Sequence, residues 1–128
     1  MSTSKHWEMT LHDAFEAEFN LFDPDVKDAL LATAKAVELA GPRAGRPHVD
    51  TLKDSKHSNM KELRFDAMNG TQQWRAAFAF DPEQKGVILV ASGKQGTNQL
   101  RFYKKLIATA DKRFDEHLAK LKSGKTKR

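Results

Sequence analysis

The chain has 128 residues, 39% hydrophobic and 30% charged, with 22 Lys and Arg against 17 Asp and Glu for a formal charge of +5, and no cysteine. That length suits one compact domain with a core of its own, and the missing cysteines exclude disulfides, a thiolate zinc site and a thiol nucleophile. No run approaches the roughly 18 apolar residues of a membrane span and "MSTSKHWEMT" lacks the apolar stretch of a signal peptide, so a soluble, cytoplasmic protein is expected.

The charge is polarised. Residues 1–42 hold three Lys against eight Asp and Glu, whereas residues 43–128 hold 19 basic and nine acidic residues. Such a basic surface suits a polyanion, because each phosphate it neutralises releases condensed counterions, although a merely solvated surface reads the same way.

In chain order, Trp7, Met9 and Leu11 alternate with polar residues, which predicts a strand over about residues 5–12. Asp13 is the expected cap of a short helix carrying Phe15, Phe19 and Phe22, with Glu16 and Glu18 near its positive end. A second helix is marked at both ends: Asp23 caps it, Pro24 opens it, Val26, Leu30, Ala34 and Val37 repeat at helical spacing, and Gly41-Pro42 stops it. Residues 43–58, "RAGRPHVDTLKDSKHS", read as a long loop. Three strands follow at residues 60–67, 73–81 and 86–94, separated by "MNGTQ" and "DPEQKG", so consecutive antiparallel hairpins are expected. The all-apolar run Val87 to Ala91 suits a central strand covered on both faces. A last helix runs from Gln99 to about Leu121 with Leu100, Tyr103, Ile107, Ala110, Phe114 and Leu121 on its stripe. The predicted architecture is one α+β domain over residues 1–121, in the order βααβββα, with an unfolded basic tail at residues 122–128.

The segment "QWRAAFAF" puts Trp74, Ala76, Phe78 and Phe80 on one strand face and Arg75, Ala77 and Ala79 on the other. The large residues belong to the core; the alanines are expected to leave an open groove beside an unburied Arg75. One strand earlier, Lys61, Leu63 and Phe65 share a side, and Glu62 and Arg64 share the other. If Arg64 and Arg75 face the same way, two permanent cations converge, and Lys94 in "SGK" adds a third. A phosphodiester, or a phosphorane carrying more charge, fits such a place. Arg64 reads equally as a partner of Glu62, Asp66 or a helix carboxylate.

In succession, "LKDSKHSNMKELRF", "WRAAFAFDPEQKGVILVASGK" and "FYKKLIATADKRFDEHL" resemble the RelE/HigB superfamily of toxin–antitoxin toxins, and most of all its phage-derived HigB-like branch. The resemblance spans about residues 5–120. It implies a RelE/ParE-like fold and a ribosome-dependent messenger-RNA endonuclease that needs no metal or other cofactor, in which the ribose 2′-OH attacks the adjacent phosphate. It also implies a cognate antitoxin, a HigA-like helix-turn-helix protein, as partner beside mRNA and the ribosome, with no membrane association.

Carried over by position, the resemblance assigns Arg75 to transition-state charge and Arg64 to phosphate positioning, with Lys94 neutralising phosphate or donating a proton. Tyr103 stands close to the place of a tyrosine that helps activate the 2′-OH in the RelE branch, and reads equally as a packed aromatic. Met60 and Glu62 occupy positions where that branch has lysines, leaving its lysine pair without a counterpart. The Asp-Tyr-His cluster of other HigB proteins is absent too. His57 is then the nearest titrating substitute, or a solvated loop histidine. Lys53, Lys56, Lys61, Lys104 and Lys105 supply a diffuse field for RNA or ribosome. His6, His12, His48 and His117 lack metal-ligand spacing, and "SGKQG" is not a nucleotide loop. Two other functions fit the same fold: a ParE-like poison of DNA gyrase, and a catalytically inactive basic RNA-binding domain.

Overall fold

The computed structural model describes residues 7–94, 96 and 98–126. Its elements are β1 (Glu8–Leu11), α1 (Asp13–Phe19), α2 (Pro24–Ala40), a short 3₁₀ turn (Gly41–Arg43), β2 (Val49–Thr51), β3 (Met60–Ala67), β4 (Gln72–Phe80), β5 (Lys85–Gly93) and α3 (Gln99–Thr126). The strands form one sheet in the order β1-β5-β4-β3-β2, with β1 parallel to β5 and the other neighbours antiparallel. This is the small α+β, RelE-like architecture expected from the sequence.

Helices cover both sheet faces. On one, Phe15, Phe19, Val26, Leu30 and Val37 of α1 and α2 meet Leu63, Phe65, Phe78 and Ile88. On the other, Phe102, Leu106, Ile107, Ala110 and Phe114 of α3 meet Met60, Ala77, Ala79, Val87 and Leu89. Burial on both sides explains the unbroken apolar run of β5, which lies between β1 and β4.

The face carrying Ala77 and Ala79 is therefore not an open groove. Both alanines are fully buried, and their small side chains seat α3 against the sheet. Arg75, at the end of this covered face, is mostly buried as well, its side chain 12% exposed. The α3 stripe is rotated from the expected one: Phe102 and Leu106 enter the core while Leu100 is 80% exposed. The helix also runs to Thr126, into the segment expected to be unfolded.

Local signals account for most boundaries. Asp23 Oδ1 accepts from Asp25 N at 3.0 Å, and Pro24 opens α2 with its fixed φ. At the start of α1 the cap is His12, not Asp13: His12 has extended backbone and its Nδ1 accepts from Ala14 N at 3.1 Å. Asp13 is already helical and pairs with Lys120 at 2.9 Å. Residues 5 and 6 of the first expected strand lie outside the described residues, as do His6, Gln95, Lys127 and Arg128.

The segment expected to be a loop contains β2, whose register pairs Val49 with Leu63 and Thr51 with Lys61. The β3–β4 turn uses three successive left-handed residues, Met68, Asn69 and Gly70. In the next turn Asp81 Oδ1 accepts from Glu83 N and Lys85 N at 2.8 and 2.9 Å, while Oδ2 meets His117 Nε2 at 2.7 Å. A buried carboxylate thereby fixes the hairpin to α3.

Gly41 ends α2 at φ 64°, and a Cβ there would lie 2.6 Å from Trp7 Cδ1 and 2.8 Å from Nε1. Both the left-handed backbone and the indole contact need glycine. Gly41→Ala is expected to lower the unfolding free energy by about 1–3 kcal/mol. Urea unfolding followed by Trp fluorescence checks this, and an unchanged midpoint would contradict it.

Candidate functional site

Strand register gathers the candidate residues. Arg64 on β3 and Arg75 on β4 are directly opposed, and Arg75 is opposed in turn by Ser92 on β5. Alternation places Glu62 on the same side as Arg64, facing Ala77. The first turns of α3 bring Tyr103 over this margin of the sheet. Two arginines that strand pairing alone would hold against each other therefore need a carboxylate between them.

Glu62 supplies it. Its side chain is 3% exposed; Oε2 accepts from Arg64 Nε at 2.6 Å, and Oε1 lies 3.9 Å from Arg75 Nε. That second contact is too long for a hydrogen bond, and Glu62 Oε1 and Arg75 Nε are both buried without a hydrogen-bond partner. Arg75 Nη1 donates to the Trp74 carbonyl at 2.9 Å, which fixes the guanidinium. Arg64, 35% exposed, also approaches Asp50 Oδ2 on β2 at 3.4 Å. The site is thus a fixed buried cation at Arg75 beside a more accessible one at Arg64.

Lys94 extends the ladder past β5, its N–H donating to Gln73 O at 2.8 Å, and its ammonium lies 5.5 Å from the centre of the Tyr103 ring. Burial, and then the positive charge of Arg75, push the Lys94 pKa down, against the pull of Glu62. Its ammonium gives up a proton more readily than a free lysine does. Burial raises the Tyr103 pKa, and the Glu62 carboxylate adds to this while Arg75 opposes it. The phenol is accordingly held protonated. The Arg64 pKa is raised, chiefly by its hydrogen bond to Glu62.

A groove of about 330 Å³ opens beside Glu62 and Arg64, bounded by Asp50, Lys53, Leu100 and Tyr103. Lys104 is exposed on the adjoining recess with Asp54, Leu100 and Ile107. Lys105 is exposed on the other flank of α3, where it lines a hollow with Arg101, Ser92 and Gly93. Lys53 therefore shares the groove with Arg64, while Lys104 and Lys105 stand on the two flanks of α3.

The remaining candidates lie elsewhere. His57 Nε2 meets Asp115 Oδ1 at 2.8 Å and its ring stands edge-on to Phe114 at 4.9 Å. Lys56 also pairs with Asp115. Asp115 is three helical turns beyond Tyr103, about 18 Å along α3 at about 1.5 Å per residue. His57 thus fastens the β2–β3 connection to α3 and is not brought to the arginines. Lys61 points to the sheet face opposite Arg64. A cavity of about 510 Å³ lies near the far end of α3, lined by His12, Asp13, Glu116, His117 and Lys120. These groups are paired: His12 with Glu116, His117 with Asp81 and Asp13 with Lys120. Among the described residues no group of three or more His, Asp or Glu could hold a metal ion.

Sequence reasoning underrated Glu62 and overlooked Asp50 and Arg101. Strand parity already placed Glu62 beside Arg64, but its coupling to Arg75 depends on the register between β3 and β4. Asp50 carried no signal, because β2 has only three residues and forms by long-range pairing. Arg101 and Lys105 are one helical turn apart, which could have marked a basic face.

The chain is a small α+β, RelE-like domain that sets Arg64 and Arg75 around Glu62 at the margin of its sheet. The chain belongs to the family described as "Phage derived protein Gp49-like (DUF891)", which matches residues 17–115. It is 37% identical over 116 residues to "Putative toxin HigB2" of Mycobacterium tuberculosis, covering 91% of this chain and 57% of that protein. It is 41% identical over 96 residues to "Putative toxin HigB3" of the same organism, covering 73% of this chain and 80% of that protein. The chain thus spans little more than half the length of the first relative. No solved structure matches it significantly. The phage-derived, HigB-like resemblance read from the "ELRF" strand and its successors is borne out.

Proposed function

We propose that this protein is the toxin of a type II toxin–antitoxin pair and cuts messenger RNA on the ribosome. The observation that carries this reading is the convergence of Arg64, Arg75, Lys94 and Tyr103 around a single buried carboxylate. The two relatives named as HigB toxins support the toxin class.

In this reading Arg64, the more exposed guanidinium, takes hold of the scissile phosphate. Arg75, its guanidinium fixed by the Trp74 carbonyl, stabilises the charge that grows as the phosphorane forms. The 2′-OH attacks in the presence of Tyr103, and Lys94, whose pKa is lowered, protonates the leaving 5′-oxygen. No metal takes part in this scheme. Lys53, Lys104 and Lys105, joined by Arg101, attract ribosome and message through their field. His57 and Lys56, both engaged with Asp115, are given no chemical part. Growth inhibition follows from lost messages, and a HigA-like antitoxin restrains the protein.

Purified protein, ribosomes and a translated message test the reading, with primer extension locating cuts. Ribosome-dependent cuts are expected. Their absence, together with inhibition of gyrase supercoiling, would assign the fold to a gyrase poison instead.

A further inference from the structure

Glu62 Oε1 is buried 3.9 Å from Arg75 Nε without a hydrogen bond, although Oε2 of the same carboxylate is held by Arg64. Leaving a buried polar atom unsatisfied costs about 1–3 kcal/mol, and more when it is charged. Such an atom calls for an explanation, and one is that a proton reaches it during function. Tyr103 lines the same groove as Glu62 and Arg64, and its phenol, which responds to both Glu62 and Arg75, is held protonated. A protonated phenol cannot take up a proton from a ribose hydroxyl unless it gives up its own. The missing acceptor is the orphaned oxygen.

We infer that Glu62 serves as the terminal proton acceptor of a relay in which Tyr103 Oη takes the proton of the attacking 2′-hydroxyl and passes its own to Glu62 Oε1. This inference rests on the endonuclease reading above. In the step, the 2′-O–H bond breaks and the oxygen's electron pair forms the new bond to phosphorus. The P–O5′ bond then breaks, and the leaving oxygen takes a proton from the Lys94 ammonium. The products are a 2′,3′-cyclic phosphate and a 5′-hydroxyl, with Glu62 protonated and Lys94 neutral until water restores both. Arg64 anchors Oε2, so the carboxylate keeps its orientation while Oε1 receives the proton. Hydrogen bonds of this kind tighten when substrate arrives. Glu62 is therefore a positioning residue that acts through Tyr103, in place of the lysines that the RelE branch carries on this strand.

The test is single-turnover cleavage of a ribosome-bound message by wild type, Glu62→Gln, Glu62→Asp and Tyr103→Phe from about pH 5 to about pH 9. Glu62→Gln keeps the size of the side chain and an acceptor oxygen for Arg64. Its maximal rate is expected to fall about 100-fold or more, with unchanged affinity for the ribosome complex and loss of the acid limb of the profile. Glu62→Asp should recover part of the rate together with that limb. The Glu62→Gln/Tyr103→Phe double variant should be no slower than the slower single variant, since both remove one relay. A wild-type profile in Glu62→Gln, or additive losses in the double variant, would overturn the relay while leaving the endonuclease reading intact. If Glu62→Gln does not fold, Tyr103→Phe decides: an intact acid limb overturns the relay, and a lost one supports it. A wild type that cuts nothing overturns the endonuclease reading and the relay together.

Discussion

Arg75→Ala is expected to reduce cleavage of a translated message by about 100- to 1,000-fold, the loss typical of removing one preorganised donor to a developing oxyanion. The side chain is 12% exposed, its Nη1 is tied to the Trp74 carbonyl, and its Nε, 3.9 Å from Glu62 Oε1, makes no hydrogen bond. Little reorganisation is left to do when a phosphate arrives. Substitution by alanine also leaves Glu62 with Arg64 as its cationic contact on this strand pair, a cost to stability of about 1–3 kcal/mol. Urea unfolding separates that cost from the chemical one. Arg75→Lys restores charge without the planar fork, so an intermediate rate is expected. Loss of Arg75 also lifts a repulsion from Lys94, whose pKa should rise toward that of a free lysine. A rate within twofold of wild type would reduce Arg75 to a structural cation.

The largest expected effect on stability belongs to the other face of the same strand. Phe78 is fully buried, lies edge-on to Phe80 at 5.5 Å and faces Lys61 and Ile88 across its two neighbouring strands. The register shifts beside it, with Ala77 facing Val90 and Phe78 facing Ile88, which leaves Leu89 of β5 as the extra residue. Phe78→Ala should cost about 3–5 kcal/mol, transfer and cavity terms together. Leu100→Ala, at an exposed position, should stay within about 0.5 kcal/mol. Both follow from urea unfolding monitored by circular dichroism and fluorescence. A Phe78→Ala loss under about 1.5 kcal/mol would contradict a core centred on β4.

These two predictions come from the two faces of "QWRAAFAF", and the sequence revealed them unequally. Large residues in alternation identify a core face directly, and Asp23-Pro24, Gly41 and the Asn-Gly turn mark their boundaries through local chemistry. The alanine face was ambiguous, because small side chains suit an open groove and a closely seated helix equally well. Only the approach of α3 resolves it, and that approach depends on contacts between residues far apart in sequence. The same holds for β2, for the rotation that exposes Leu100, and for His57, which is drawn to Asp115, 58 residues further along the chain. Arg64 and Arg75 were legible from strand parity. Glu62 is visible as the centre of the site only once the register places it between them.

The chemistry attributed to this site leaves its mark on the products. The most direct measurement is mass-spectrometric analysis of the RNA ends made by wild-type protein on a ribosome-bound message. A 2′,3′-cyclic phosphate or its opened product, facing a 5′-hydroxyl, is the predicted result. A 3′-hydroxyl facing a 5′-phosphate would contradict attack by the 2′-OH and the roles given to Arg75, Tyr103 and Glu62.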